Sequence, residues 1–429
     1  MNDLTADNRK IFVLDDDPTG TQTVSGVEII LQPAFQKYHE FCSSTASVVY
    51  VLTNTRALPK EDAIQLLTQI RAEATRAARE AGKEAVFLLR GDSTLRGHVF
   101  AEIDTFSQAD SVSLFVPAFP EGGRVTVDGI HYLTVEVKRI PVHQTEFAKD
   151  TTFGYQSEKL VDYVAEAGDG RKAVIVPLEQ LRSTMGQGLR DALLQAAPGT
   201  CVIPEAEFLS DLELIAAGLM GALGKGRHVV VRSASSFIAV LTNLRSQTIE
   251  RVENLDRVLV VCGSHTEAST RQLQELIRYT RPPIVIPTDR ILQGGLDLLI
   301  EEVSSRLIEN LRHYGFAVLT SERIRRLEHG DLATGARVMN VIIEIVRKVS
   351  AHCDGVISKG GITSAQVAAD GLLSQTAYVK GQLEAGVSLW EVELEDGRRL
   401  PYAVIPGNVG NHQTIKNIAG KFGVKLAYE

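Results

Sequence analysis

Three adjacent aspartates, Asp15, Asp16 and Asp17, are the residues of this sequence with the clearest capacity for chemistry. They follow the apolar run Ile11–Leu14, which is typical of a buried β-strand, and a proline and a glycine shape the loop after them. A turn needs at most one carboxylate as a cap, and neighbouring negative charges repel one another. Three aspartates in a row therefore indicate a functional site and not a capped turn. Such a cluster can bind a metal ion, accept a proton or bind substrate hydroxyls.

Two further polar loops follow apolar runs of the same kind. Arg56 follows the run Val48–Thr53, and Asp92, Ser93 and Arg96 follow the next run along the chain. Arginine presents a planar pair of donors that matches a carboxylate, and the neighbouring hydroxyl and carboxylate groups can bind hydroxyls. These loops therefore predict a binding site for a small, hydroxylated anion.

In the C-terminal part of the chain, three glycine-containing turns each join an apolar run to a helical pattern. They are GSHT at 263–266, KGGITS at 359–364 and PGN at 406–408. Glycine permits close approach of the backbone, and the amides at a helix N-terminus favour an anion. One such turn is weak evidence, but three that can meet at one sheet edge predict a nucleotide site, although not one of the Walker A type.

Apolar runs and helical periods alternate along the chain, which predicts an α/β fold of mostly parallel sheets with helices on both faces. Within the helical pattern at Lys60–Gly82, for example, Ile64, Leu67, Ala74 and Ala78 share one stripe. Ligands of such sheets bind beyond the carboxyl ends of the strands, where the polar loops fall. Residues 118–158 lack a helical period and carry turn signals, which predicts hairpins.

The length and composition limit the class of protein. A chain of 429 residues fits two domains, and the polar segment 246–256 is the best linker candidate, which predicts domains at 1–248 and 249–429. A net charge of -8 argues against nucleic acid as a partner. The four cysteines are scattered, and no apolar run approaches the roughly 18 residues of a membrane span, so we expect a cytoplasmic protein without a membrane partner.

Taken together, the motifs resemble those of the four-carbon acid sugar kinase family, whose members phosphorylate threonate, erythronate or 3-oxo-tetronate. The resemblance runs over nearly the whole chain, through DDDPTG, DSTLRG, PAFPEGGR, GSHT, KGGITS and PGN. It implies an N-terminal acid-sugar-binding domain, a C-terminal ATP-binding domain and an active site in the cleft between them. The implied cofactors are ATP and the Mg²⁺ that accompanies it. The implied partners are a small anionic sugar acid and ATP, with a homodimer as a further option.

The resemblance also implies a role for individual residues. The residues that match the acid-sugar side are Asp16, Asp17, Arg56, Asp92, Ser93 and Arg96. The residues that match the nucleotide side are Ser264, Gly360, Gly361, Ile362, Thr363 and Gly407. In the expected mechanism Asp17, with Asp16 beside it, accepts the proton of the attacking hydroxyl, and Arg96 with Arg56 or Arg90 holds the substrate carboxylate.

Two other classes of function remain open at this stage. The start of the sequence also fits a phosphohydrolase of the haloacid dehalogenase type, with Asp15 as nucleophile and Asp17 as acid and base, although this leaves the second domain unexplained. A non-catalytic sensor of a sugar acid or a nucleotide is the third alternative. Carboxylates placed beside an anion clamp would weaken the binding on which such a sensor depends.

Overall fold

A computed structural model of the chain describes residues 8–135, 137–253, 255–323, 332–407 and 409–426. These residues form two compact units. The first comprises the residues up to Thr23 together with Pro33–Arg245, and the second comprises Val24–Gln32 together with the residues from Ser246 onward. The chain therefore enters the second unit twice. The predicted boundary at residue 248 took no account of the early segment, because no break in composition marks it.

The described residues contain β-strands and α-helices in alternation through most of their length. The strands are β1 (Arg9–Asp15), β2 (Val27–Ile30), β3 (Val48–Leu52), β4 (Glu84–Arg90), β5 (Val112–Val116), β6 (Arg124–Val127), β7 (Ile130–Val135), β8 (Lys138–Pro141), β9 (Ala173–Val176), β10 (Cys201–Pro204), β11 (Val229–Ser233), β12 (Val258–Cys262), β13 (Ile284–Ile286), β14 (Phe316–Ser321), β15 (Gly355–Lys359), β16 (Thr376–Glu384), β17 (Val387–Glu393) and β18 (Arg399–Ile405). The helices are α1 (Phe35–Ser43), α2 (Lys60–Glu80), α3 (Val99–Phe106), α4 (Leu160–Ala167), α5 (Leu178–Ser183), α6 (Gln187–Gln195), α7 (Leu209–Leu223), α8 (Ser235–Thr242), α9 (Glu267–Ile277), α10 (Thr288–Gln293), α11 (Leu296–Tyr314), α12 (Leu332–Val349), α13 (Gly361–Gln366) and α14 (Thr414–Lys421).

The first unit is built on a parallel sheet with the strand order β3-β1-β4-β11-β5-β10-β9. Its central strands are apolar on both faces, and Val48–Leu52 and Ile11–Leu14 are wholly buried. Strands of this kind form because helices cover both faces of a parallel sheet. The predicted α/β class, with mostly parallel sheets flanked by helices, is confirmed.

Helix α2 illustrates the predicted amphipathic pattern. Its buried side chains include Ala63, Leu67, Ile70, Ala74 and Ala77, while most of the remaining positions are exposed or partly exposed. This spacing of three and four residues puts one apolar stripe along the helix, and burial of that stripe holds the helix in place.

The predicted hairpins are confirmed by a small antiparallel sheet in the order β6-β7-β8. Strands β6 and β7 are joined through Asp128 and Gly129, both with a positive φ. A two-residue connection with this geometry matches the twist of the two strands and sets their register.

The second unit combines parallel and antiparallel pairing. Strands β13-β14-β12-β15-β18 are parallel, whereas β18-β17, β17-β16 and β16-β2 pair antiparallel. The early segment supplies β2, so Val27–Ile30 joins a sheet whose other strands come from the C-terminal half. None of the described helices is long and apolar enough to span a membrane.

Candidate active site

The polar loops of the first unit lie at the carboxyl ends of neighbouring strands. Asp15 ends β1, Arg90 ends β4 and Ser233 ends β11, and the sheet register places Asp15 beside Arg90 and Arg90 beside Ser233. Leu52, the last residue of β3, lies on the other side of Asp15. Because these parallel strands are adjacent and end level, the loops that follow them open at one edge of the sheet.

Arg90 holds together the loop that contains Asp15, Asp16 and Asp17, which we call the aspartate loop. Its Nη1 lies 2.8 Å from Asp15 Oδ1, 2.7 Å from Asp17 Oδ1 and 3.5 Å from Asp16 Oδ1. Its Nη2 donates to Thr19 Oγ1 at 2.9 Å. The Arg90 side chain is only 3% exposed, so it offers no face to a substrate. This removes Arg90 from the expected carboxylate clamp and makes it a counter-charge for the aspartates.

Arg56 connects the aspartate loop to the DSTLRG loop. Its Nε lies 3.7 Å from Asp16 Oδ1, its Nη1 lies 3.5 Å from Asp92 Oδ2, and its Nη2 pairs with Asp17 Oδ2. Burial lowers the pKa of Arg56, while the carboxylates of Asp16 and Asp92 oppose that change. Four of the residues assigned to the acid-sugar side from the sequence therefore meet in one ion-pair network.

A buried pair that the sequence analysis missed lies behind Asp16. Arg232 Nη2 donates to Asp16 Oδ2 at 2.9 Å, and its Nη1 pairs with Glu102 Oε2. Glu102 Oε1 in turn accepts a hydrogen bond from Thr55 Oγ1 at 2.7 Å. Burial raises the pKa of Glu102, whereas the Arg232 guanidinium lowers it. The result is a continuous chain of hydrogen bonds and ion pairs from Thr55 to Asp16.

Two glycines make room for the Arg232 guanidinium. A Cβ at Gly91 would lie 2.4 Å from Arg232 Nη2, and a Cβ at Gly97 would lie 3.3 Å from the same atom and 3.2 Å from Asp16 Oδ2. Gly97 also has a φ of +130°, a backbone conformation that other residues rarely adopt. The glycine of the DSTLRG motif is therefore required by packing against a charged pair.

The DSTLRG loop is a compact structure held by its own side chains. Arg96 Nε donates to Asp92 Oδ2 at 2.8 Å, and Thr94 Oγ1 donates to the same oxygen. Leu95 has a φ of 70°, and its carbonyl accepts from Tyr163 Oη at 2.7 Å. A leucine in this conformation costs of the order of 1 kcal/mol and persists only where its surroundings enforce it. The loop is therefore built to hold Asp92 and Arg96 in one arrangement.

Asp92 is ionised and Ser93 is anchored through its backbone. Burial alone would raise the pKa of Asp92, but the Arg96 and Arg56 guanidinium groups outweigh it and hold that pKa well below its usual range. The Ser93 carbonyl accepts from His131 Nε2 at 2.8 Å, which ties this loop to β7. Arg96 is 24% exposed, more than any of the other arginines of the network.

The carboxyl group of Asp15 is enclosed by the protein, with only 2% of the side chain exposed. Burial raises its pKa to about 7, although the Arg90 guanidinium acts in the opposite direction. A Cβ at Gly20 would lie 2.2 Å from Asp15 Oδ2, so the loop packs directly against this carboxyl group. An enclosed carboxyl group that is partly protonated at neutral pH is poorly suited to be the exposed nucleophile of a phosphohydrolase.

The three aspartates are close enough to share a metal ion, but their surroundings do not fit one. Carboxylate oxygens of Asp15, Asp16 and Asp17 lie within 4.8 Å of one another. Carboxylate oxygens of all three aspartates already pair with the guanidinium groups of Arg56, Arg90 and Arg232. These cations supply the positive charge that a metal would bring, so the cluster fits an ion-pair network and not a resident metal site.

In the second unit the three glycine turns follow β12, β15 and β18, which are neighbours in the sheet. Thr266 Oγ1 donates to the carbonyl of Gly407 at 2.8 Å, and Ser269 Oγ donates to Ser264 Oγ at 2.8 Å. The amide of Gly360 donates to the carbonyl of Ile405 at 2.9 Å. The turns predicted from the sequence to converge are therefore in direct contact.

The close approach of these turns requires glycine. A Cβ at Gly263 would lie 2.3 Å from Thr363 Oγ1, and a Cβ at Gly407 would lie 3.0 Å from Ser264 Oγ. Gly360 has a φ of +113°, and its Cβ would lie 3.0 Å from Ser264 Cβ. A cradle of bare backbone and hydroxyl groups at helix N-termini fits the phosphates of a nucleotide.

The other residues assigned to the nucleotide side lie beside this cradle. Gly361 begins α13, and Ile362 is 45% exposed at its first turn. Asn408, the last residue of the PGN motif, lies outside the described residues. The structure thus brings Ser264, Gly360 and Thr363 together and leaves Ile362 at the surface.

Two cations near the cradle have roles that the sequence did not indicate. Lys359 is fully buried, and its Nζ donates to the carbonyls of Pro406 at 2.6 Å and Val409 at 3.3 Å. Burial lowers its pKa to about 7, so this lysine links two turns and is not an exposed phosphate ligand. Arg323 Nη2 donates to the carbonyl of Ser264, and its Nη1 donates to Thr320 Oγ1 at 3.3 Å.

Gly263→Ala tests the cradle. The added Cβ would lie 2.3 Å from Thr363 Oγ1, so two turns must move apart and misplace their amides. We expect the Kd for ATP, measured by calorimetry, to rise at least about tenfold, because loss of one charge-assisted hydrogen bond costs about 1.5–3 kcal/mol. The Kd for a four-carbon sugar acid, the ligand that the motifs of the first unit imply, should not change.

The matched control for this variant is Gly420→Ala. Gly420 lies in α14, has no positive φ and would meet nothing within 4 Å, so alanine there should leave ATP binding unchanged. Equal ATP affinity in the Gly263 variant and the wild type would contradict the nucleotide site.

Two family models match separate stretches of the chain. A model of a sugar-binding N-terminal domain matches residues 11–241, and a model of a nucleotide-binding C-terminal domain matches residues 259–415. A curated D-erythronate kinase from Heliobacterium modesticaldum is 32% identical over 236 residues, which are 53% of this chain and 49% of the relative. The matched stretch therefore spans about half the length of that relative.

Two solved structures resemble the whole fold. A Haemophilus influenzae protein has a TM-score of 0.63 at 17% identity, covering 96% of this chain and 100% of its own. A Salmonella typhimurium LT2 protein, which carries the name of a tRNA synthase, has a TM-score of 0.69 at 16% identity, covering 96% and 99%. At this level of identity the likeness establishes the fold alone.

Proposed function

The chain belongs to the four-carbon acid sugar kinase family, and from this we propose that it transfers a phosphoryl group from ATP to a hydroxyl of a small sugar acid. The expected acceptor is the terminal hydroxyl of a four-carbon, tetronate-type acid. The observation that carries the proposal is the cluster of Asp16, Asp17, Arg56 and Asp92 in the part of the chain matched by a sugar-binding domain. Its first unit would be the substrate domain and its second unit the nucleotide domain.

The acid-sugar side supplies positioning and a proton acceptor. Asp92, Ser93, Arg56 and Arg96 contact the acid. Asp17 accepts the proton of the attacking hydroxyl, whose oxygen forms the new bond to phosphorus as the bond to the departing ADP breaks. Transfer through a loose transition state requires accurate placement more than a strong base, and the rigid network around Asp17 provides it.

The nucleotide side holds the leaving group. Backbone amides of Gly361–Thr363 and Gly407, with the hydroxyl of Ser264, bind the phosphates, while Gly360 keeps its turn close to Ser264. ATP supplies the phosphoryl group when bound, and the Mg²⁺ that accompanies it neutralises phosphate charge. The protein cradle adds oriented donors that need no rearrangement during the reaction.

A kinase accounts for more of the chain than a phosphohydrolase does. A hydrolase of the haloacid dehalogenase type has no need of a nucleotide-binding domain, and its nucleophile would be the enclosed Asp15. A sensor would not need the carboxylates beside the anion site. We also expect the enzyme to be cytoplasmic, with a homodimer as a further option.

The test is an ADP-release assay with Mg-ATP and a panel of threonate, erythronate and 3-oxo-tetronate stereoisomers, together with longer sugar acids. We expect ADP release with at least one four-carbon acid and little release from ATP alone. Release with a longer acid only would remove the four-carbon assignment. No release with any acid, together with hydrolysis of phosphate esters in the absence of ATP, would favour the hydrolase.

A further inference from the structure

The arginines of the acid-sugar network are already paired with carboxylates of the protein. Arg56 and Arg90 pair with the aspartate loop, Arg96 with Asp92, and Arg232 with Glu102 and Asp16. Each of these cations is therefore largely neutralised before a substrate arrives. A substrate carboxylate that approached them would also approach the aspartates that pair with them, and like charges repel.

Arg124 is different. It is the first residue of β6, and among the described residues its guanidinium forms no ion pair with a carboxylate. Its Nη1 donates to the carbonyl of Gly122, while its Nε is buried and has no hydrogen-bond partner among the described residues. The guanidinium lies over the ring of Phe119, with its Cζ 5.8 Å from the ring centroid.

The surroundings of Arg124 connect it to the DSTLRG loop. Thr126, two residues further along β6, shares a hydrogen bond of 2.9 Å with His131 Nδ1, and His131 Nε2 bonds to the carbonyl of Ser93 at 2.8 Å. The guanidinium of Arg124 helps to lower the pKa of His131, after burial, and the charge of Asp92 acts on Arg124 itself. The β6–β7 hairpin is thus fastened to the DSTLRG loop.

We propose that Arg124 binds the carboxylate of the sugar-acid substrate. The inference rests on the proposed function and adds to it the group that distinguishes an acid from a neutral sugar. A partly buried guanidinium without an anionic partner is costly, and a bound carboxylate restores the lost interactions with two parallel hydrogen bonds. Arg56 and Arg96 then hold the Asp92 carboxylate in place through their ion pairs, and Asp92 accepts a hydrogen bond from a substrate hydroxyl.

The position of Arg124 also explains the two glycines of the PAFPEGGR loop. Phe119 and Arg124 pair through both backbone groups at 2.8 and 2.9 Å, and Gly123, with a φ of +74°, closes the turn between them. A Cβ at Gly122 would lie 2.8 Å from Arg124 Nη1. The two glycines therefore let the loop turn back close to the Arg124 guanidinium, and this packing restricts the guanidinium to one orientation.

The experiment compares each four-carbon acid with its uncharged amide in the wild type, Arg124→Gln and Arg124→Lys. ADP release is measured for both members of each pair, and binding of the acid is measured by calorimetry without nucleotide. In Arg124→Gln we expect kcat/KM for the acid to fall about 100-fold, mainly through KM, with the value for the amide unchanged. The kcat/KM of Arg124→Lys for the acid should lie between the values of the wild type and Arg124→Gln, because lysine keeps the positive charge and loses the paired donors.

Arg139→Gln is the matched control, because Arg139 lies in the same small sheet and its exposed side chain pairs with Glu207. It should bind and phosphorylate the acid as the wild type does. An Arg124→Gln variant that keeps the wild-type preference for acid over amide would overturn the inference, and so would one that loses acid and amide equally. A wild type that neither binds nor phosphorylates any acid would overturn the proposed function and this inference with it.

Discussion

Asp17→Asn should lower kcat about 10²–10⁴-fold and leave the Kd for ATP unchanged, since a positioned general base contributes that much to proton transfer. Asp17 Oδ1 accepts from Arg90 and from the amide of Thr19, and Oδ2 pairs with Arg56. These contacts orient the carboxylate, and asparagine of the same size cannot take up the proton. The two measurements are steady-state ADP release and calorimetric titration with ATP.

The matched control for this prediction is Asp191→Asn, the same substitution at a side chain that is 50% exposed and pairs with Arg190 on α6. It should change neither kcat nor the Kd for ATP. An Asp17→Asn variant that turns over at the wild-type rate would remove Asp17 as the proton acceptor. One that loses ATP affinity while its melting temperature is unchanged would contradict the separation of acid and nucleotide sites.

The second large effect is expected for the pair behind the site. Arg232→Met should lower the free energy of unfolding by about 3–5 kcal/mol, because it leaves Glu102 as a buried charge without its cationic partner and removes one of the three guanidinium groups around Asp16. Arg232 is 2% exposed and Glu102 is 3% exposed, so water cannot replace the lost interaction. Denaturant unfolding of the wild type and the variant measures the difference.

A double-mutant cycle with Glu102→Gln separates the pair from the individual side chains. The double variant should be more stable than the sum of the two single changes predicts, by about 0.5–3 kcal/mol. Arg139→Met serves as a surface control, with an expected loss of at most about 1 kcal/mol, since the Arg139 side chain in its ion pair with Glu207 is 48% exposed. Additive effects of Arg232→Met and Glu102→Gln would show that the two side chains do not act as a pair.

Fold class could be predicted from the sequence because burial leaves a periodic trace in the residues themselves. The apolar runs Ile11–Leu14 and Val48–Thr53 became central parallel strands, with the bounds changed by one or two residues. Much of the site could be predicted for a related reason, since polar loops after such runs must lie at one edge of the sheet. Asp17, Arg56 and Asp92 were found in this way and lie in one network.

Partners that are distant in sequence could not be found by the same reasoning. Arg232 and Glu102 lie 130 positions apart, and the charge of each has meaning only once β11 and α3 are packed together. The early segment Val24–Gln32 belongs to the second unit because its strand β2 pairs antiparallel with β16. No local pattern in the sequence predicts this pairing. Arg124 resembled any other loop arginine until the pairing of the other arginines was known.

The sequence by itself determined the fold class, the strand-and-turn motifs and the residue types available for chemistry, because local patterns of polarity and glycine reflect local conformation. Only the tertiary structure decided which charges neutralise one another, which glycines must be glycine and which cation remains for a ligand. The physical reason is that a charge buried with a partner becomes a structural element, whereas the same charge without one is available to bind, and partners are chosen by the packing of distant strands and helices.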